Sequence, residues 1–156
     1  MIILSLHTGY HDGTAALLDG YNLVAAVQLE RLTRKKGDGG GIPEAAMDEV
    51  LAIAGLTRTD VDVVVLSRAS FPARYFKSNA LKTAEYAFHK IIGHEKLKDM
   101  CTQMQQRGEG EPAKLFREEM FRADFGFKEG VKIAYSNHHM SHALSALFYT
   151  DWDDGL

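Results

Sequence analysis

The stretch Ile2-Ile-Leu-Ser-Leu-His-Thr-Gly-Tyr-His-Asp-Gly-Thr-Ala-Ala-Leu-Leu-Asp-Gly-Tyr-Asn-Leu-Val-Ala-Ala-Val-Gln-Leu29 decides the fold. It breaks into three apolar runs, Ile2 to His7, Thr14 to Leu18 and Asn22 to Leu29. Each is too short for a stable helix and has strand length. The segment Thr8-Gly-Tyr-His-Asp-Gly13 reads as a turn between the first two. Asp19-Gly20, flanked by Leu18 and Tyr21, is a two-residue hairpin signal. The expectation is a three-stranded meander.

Working outward, a basic glycine-rich segment runs from Glu30 to Pro43, and its glycines argue against regular structure. Pro43 opens a helix to about Ala54, with Ala46, Val50, Leu51 and Ala54 at helical spacing and Gly55 as the stop. Thr57 to Asp60 leads into a strand from Val61 to Ser67. Its continuous apolar run Val63-Val64-Val65-Leu66 suits a central parallel strand. Residues from about Ser78 to Gly126 read as helical, broken at Arg107-Gly-Glu-Gly-Glu-Pro112. A strand from Val131 to Tyr135 and a final helix follow. The order is β-β-β-α-β-α-β-α with a helical insertion. This α/β order resembles one lobe of the ribonuclease-H-like fold of actin, sugar kinases and heat-shock ATPases. Those proteins bind nucleotide between two lobes. Residues 1–156 are therefore expected to form a single lobe, with the second absent or supplied elsewhere.

Composition narrows the function classes. The 156 residues are 46% hydrophobic and 25% charged, ordinary for a soluble domain with a real core. A net charge of -3 argues against nucleic acid or an anionic membrane as partner. The single cysteine, Cys101, excludes an internal disulfide and fits a reducing, cytoplasmic compartment; it reads as a packing residue. No run approaches a membrane span, and the first residues lack the basic region of a signal peptide. Two rival chemistries fit poorly. The first strand lacks the carboxylate that a two-metal nuclease needs. His89, His94 and Glu95 do not make the His-Glu-x-x-His pattern of a zinc protease.

Three segments carry candidate chemistry. In Ser136-Asn-His-His-Met-Ser-His-Ala143, His138 and His142 stand four residues apart, so on a helix both imidazoles reach one metal ion. Spacing alone leaves open a surface pair or a hydrogen-bonded core pair, and His139 is an alternative to His138. Two ligands do not complete a site, and no third is evident. In the first turn, His11 can donate to a phosphate or carbonyl oxygen or move a proton, with Asp12 beside it. The bland alternative is a plain turn in which Asp12 bonds its own backbone. Arg31, Arg34, Lys35 and Lys36 offer four cations among glycines, suited to an anionic donor or nucleotide, or simply to a solvated basic loop.

Three blocks together resemble the N-terminal part of the O-carbamoyltransferases, the group that includes nodulation protein U and antibiotic-tailoring carbamoyltransferases. They are His7-Thr-Gly-Tyr-His-Asp-Gly-Thr-Ala-Ala-Leu-Leu18, Glu30-Arg-Leu-Thr-Arg-Lys-Lys-Gly-Asp-Gly-Gly40 and Asn137-His-His-Met-Ser-His-Ala143. Their order and separation also fit. Asn137, Gln28-Leu29, Ile42 and Gly13 depart from the family pattern. The resemblance implies transfer of a carbamoyl group from carbamoyl phosphate, with ATP and through carbamoyl-AMP, to a hydroxyl of a small molecule. It implies a divalent metal, iron or else zinc or magnesium, on His138 and His142, with further acidic ligands from a second lobe. It implies a separate C-terminal domain that makes carbamoyl-AMP. The partners expected are that second lobe or another copy of this chain, with a homo-oligomer as one outcome. The competing expectation is a stand-alone lobe that binds a metal or partner without turnover. An exposed apolar face where the second lobe would dock is a further expectation.

Overall fold

The computed structural model describes residues 1–9, 11–66, 73–75 and 117–136. They form an α/β unit around one mixed five-stranded sheet, with strand order β3-β2-β1-β4-β5. The strands are β1 (Ile2–His7), β2 (Thr14–Asp19), β3 (Asn22–Gln28), β4 (Val63–Leu66) and β5 (Lys132–Tyr135). β1 pairs antiparallel with β2, and β2 with β3. β4 runs parallel to both β1 and β5, as its unbroken apolar run predicts.

The strand period of two puts alternate side chains on one face. Leu4 pairs with Leu17 on one side and Val64 on the other, and Val64 pairs with Ile133. Leu6 likewise lies between Ala15 and Leu66. These two rows are buried. Helix α2 (Glu44–Ile53) packs against β2 and β3 and adds Ala46, Met47, Val50 and Leu51 to the same core. Full burial of each large apolar side chain is worth about 1.5–3 kcal/mol. Tyr75, Phe121, Phe125 and Phe127 extend the core as an aromatic cluster, with Tyr75 edge-on to Phe121 at 5.7 Å. Phe121 belongs to the short helix α3 (Glu118–Asp124). The Tyr75 hydroxyl donates to Asp124 Oδ2 at 2.8 Å, so the polar end of a buried ring is satisfied.

Two polar latches hold the ends of the sheet. Asp62 accepts the Ile2 amide at 2.9 Å and Lys128 Nζ at 2.8 Å, joining the starts of β1 and β4 to the loop before β5. Arg58, in a 3-10 turn over Arg58–Asp60, donates to both oxygens of Asp48 at 2.7 Å, to Glu44 at 2.9 Å and to the Phe125 carbonyl at 3.1 Å. It thereby ties α2 to the end of α3. Thr57 and Asp60 form a capping box around the 3-10 turn.

Several boundaries differ from the sequence expectation. The hairpin loop is Gly20-Tyr21, because Asp19 pairs with Asn22. Only Gly20 of the two has a positive φ, 59°, which is the pattern with glycine at the first central position. The segment after β3 is not wholly irregular: Leu29–Thr33 forms a one-turn helix, α1. The glycines that oppose regular structure begin only at Gly37, so nothing forbids a turn of helix before them. β3 also carries an extra residue. Leu17 faces Ala25 and Leu18 faces Leu23, so Val24 bulges. The helix ending at Gly55 matches expectation, and so does the stop at Gly126, where φ is 66° in each. The rest of the expected helical insertion, the break at residues 107–112, Cys101 and the final helix lie outside the described residues. No helix among the described residues is long and apolar enough to cross a membrane.

Candidate active site at the strand ends

The parallel strands β1, β4 and β5 end together, since Leu6 pairs with Leu66 and Leu66 with Tyr135. Carboxyl ends of parallel strands are where α/β sheets bind ligands. The β1–β2 turn sits at this end, and so does the connection from β3 to α2. Ser136 leaves β5 at the same end, its amide donating to the Leu66 carbonyl at 3.0 Å. His138 and His142 follow directly in sequence and lie outside the described residues.

His11 and Asp12 are brought together. His11 Nδ1 lies 2.7 Å from Asp12 Oδ2, and both side chains reach solvent. Asp12 has φ 56°, a left-handed backbone that Asp tolerates better than most residues. The Thr14 hydroxyl braces it by donating to the Asp12 carbonyl at 2.8 Å. The carboxylate therefore bonds its neighbour's imidazole, not its own backbone as a plain turn would have it.

The glycine-rich loop folds back along this turn. Asp12 N–H donates to the Gly37 carbonyl at 3.3 Å, Gly13 N–H to Asp38 at 2.8 Å and Gly40 N–H to Gly9 at 2.6 Å. Glu30 anchors the other side of the loop, its Oε2 accepting the Gly37 amide at 2.9 Å. Its side chain is 18% exposed, against 73% for its neighbour Arg31 at 3.5 Å. Arg34 closes α1 in the left-handed region at φ 62°, a position usually given to glycine.

Glu30, Arg31, Arg34 and Lys36 line one open depression of about 370 Å³. Three cations against one carboxylate leave it a net attraction for an anion. Lys35 is exposed and is not among the lining residues, which separates it from the other three sequence candidates. Asp12, Gly37 and Glu30 form a continuous hydrogen-bonded path from the His11–Asp12 pair to this depression. Such an arrangement suits proton transfer beside a bound anionic group. Glu30 is a site element that residue type alone did not single out. The signal for Glu30 was its place at the head of the Glu30-Arg-Leu-Thr-Arg block. Among the described residues no group of three His, Cys, Asp or Glu side chains is placed to hold a metal.

Comparison with known proteins agrees with the motif reading. The chain is 25% identical over 151 residues to nodulation protein NolNO of Sinorhizobium fredii, covering 96% of this chain and 19% of that protein. It is 28% identical over 165 aligned positions to the protein sll1178 of Synechocystis sp., covering 97% of this chain and 24% of that one. The chain thus spans a quarter or less of the length of these two relatives. The model of the carbamoyltransferase N-terminus matches residues 2–152, and the chain belongs to that family.

Proposed function

We propose that this chain is the N-terminal lobe of an ATP-dependent O-carbamoyltransferase, with a ribonuclease-H-like architecture, acting from carbamoyl phosphate through carbamoyl-AMP on a small-molecule hydroxyl. The carrying observation is the loop-on-turn pairing that links His11 and Asp12 to the depression lined by Arg31, Arg34 and Lys36. The mixed strand order supports the architecture. In this reading the three cations hold the anionic donor, Arg31 and Arg34 by paired N–H groups and Lys36 as a point charge. His11 takes the proton of the acceptor hydroxyl as its oxygen attacks the carbamoyl carbon of carbamoyl-AMP; the bond from that carbon to the phosphate oxygen breaks, and AMP leaves with the bonding pair. Asp12 fixes the imidazole orientation and stabilises the imidazolium that forms. His138 and His142 hold a divalent metal, whose chemistry when bound is polarisation of an oxygen of the donor. That assignment rests on their spacing and on the family resemblance, because both residues lie outside the described part of the chain. The second lobe and the carbamoyl-AMP-forming domain belong to the whole protein in this reading.

Inorganic phosphate and ATP binding to single alanine variants tests the donor site. Arg31→Ala, Arg34→Ala and Lys36→Ala are each expected to weaken binding, by about 1.5–3 kcal/mol where a charged hydrogen bond is lost, with Lys35→Ala close to the parent. Equal losses at all four positions would indicate a diffuse basic surface and reject the site. Carbamoyl transfer by this chain, alone and mixed with a second lobe, tests the activity. Metal content in the His138→Ala, His142→Ala double variant tests the metal: a content equal to the parent's removes it.

A further inference from the structure

We infer that Gly39 is a positioning residue that sets where the His11–Asp12 pair stands relative to the cation-lined depression; this rests on the catalytic reading of His11 given above. The backbone of Gly39 runs against that of His11. A Cβ at Gly39 would stand 2.8 Å from both Cα and the carbonyl carbon of His11, and 2.9 Å from the Gly9 carbonyl oxygen. Non-bonded carbon atoms settle at about 3.5–4.0 Å. All three neighbours are main-chain atoms, so no side-chain rotation relieves the clash. The contact is clamped on both sides, by Gly40 to Gly9 at 2.6 Å and by Gly13 to Asp38 at 2.8 Å. A methyl group in the middle must push the turn away and carry His11 with it.

The opposing backbone is also glycine. A Cβ at Gly13 would meet the Asp38 carbonyl oxygen at 3.3 Å and Gly39 Cα at 3.5 Å, a gentler pressure on the same contact. Gly41, two residues along, has nothing within 4 Å of its Cβ position and no left-handed φ. Glycine is thus required by space at residue 39 and not at residue 41. A shift of about 1 Å at a reacting group costs about a hundredfold in rate, so the close approach has catalytic weight when His11 moves the proton.

The test uses Gly39→Ala, Gly13→Ala, Gly41→Ala and His11→Ala in the full-length protein. His11→Ala assigns the His11 ring resonance among the seven histidines by NMR. Gly39→Ala is expected to displace that resonance and to lower kcat about 10- to 100-fold, with KM for carbamoyl phosphate within about twofold of the parent. Gly41→Ala is expected to change neither. Gly13→Ala is expected to move the resonance by less, and it decides the matter where Gly39→Ala does not fold. A His11 resonance unmoved in Gly39→Ala, or in Gly13→Ala where that substitution must decide, overturns the inference, as does an equal displacement in Gly41→Ala. Full turnover in His11→Ala rejects the catalytic reading instead, while the resonance still decides what Gly39 does.

Discussion

Arg34 donates its amide to the Glu30 carbonyl at 2.9 Å while its own φ is 62°, so a guanidinium occupies a helix-closing position that favours glycine. The same residue lines the depression shared with Glu30, Arg31 and Lys36. A non-glycine left-handed residue costs about 1–2 kcal/mol, and such strain tends to collect at functional positions. Arg34→Gly is expected to raise stability by up to about 1 kcal/mol, after allowing for the freer unfolded chain. It should weaken phosphate binding at the same time. Thermal melts with and without phosphate check both halves; a variant that loses stability and keeps its affinity contradicts the argument.

Asp12 separates backbone from chemistry in the same way. Asp12→Gly should hold the φ of 56° at least as easily as the parent, so the fold is kept. The contact with His11 at 2.7 Å is lost. Carbamoyl transfer is expected to fall by about a hundredfold, the lower end of what positioned acid–base groups supply. Steady-state kinetics beside circular dichroism give the answer.

Asp62 provides a pH prediction. The Lys128 ammonium bonded to its carboxylate, and then the Ile2 amide, hold its pKa below the usual carboxylate range. A depressed folded-state pKa means the contribution is fully present above the unfolded value of about 3.9. It is lost as pH falls through the folded value. Asp62→Asn should therefore flatten the acid limb of the stability–pH curve and leave its slope near neutrality unchanged. Urea midpoints between acid and neutral pH measure this, and parallel curves for parent and variant count against the latch.

Arg58 is 22% exposed and makes four hydrogen bonds to α2 and to the end of α3. Its carboxylate partners are half exposed, so solvent screening discounts the ion pairs. Arg58→Ala is expected to cost about 1–2 kcal/mol, or roughly 2–8 °C in Tm for a chain of this size. Arg58→Lys should recover only part, because one ammonium cannot span two carboxylates and a carbonyl. Calorimetry on the three proteins orders them.

How much of this was legible in the sequence follows from how local each signal is. The meander, α2 and the parallel strand β4 were readable because period, length and a bounding glycine or proline all lie within a few residues. The hairpin loop was misread by one residue because Asp19-Gly20 and Gly20-Tyr21 are both acceptable loops, and the choice falls to cross-strand register. The turn of helix at Leu29–Thr33 was hidden by the glycines that follow it. Arg58 with Phe125, Tyr75 with Asp124, and Gly37, Asp38 and Gly40 with Asp12, Gly13 and Gly9 join residues far apart in sequence; no window of sequence contains them. The candidate cations were visible as residue types, but only the curl of the chain at Arg34 sorts Lys35 from the others. Tyr21, Leu23 and Val24 are exposed around the first hairpin and edge strand, and nothing among the described residues identifies what covers them.

The sheet order has a consequence for synthesis on the ribosome. β1 precedes the other strands of the sheet in the chain yet occupies its middle, between β2 and β4. Its antiparallel side is satisfied within about twenty residues of translation, but its parallel side stays open until residues 63–66 leave the exit tunnel. The nascent meander must therefore carry an unpaired inner border for some forty residues. At about 5–20 residues per second that is an interval of several seconds, the window in which a chaperone has most to gain from holding it.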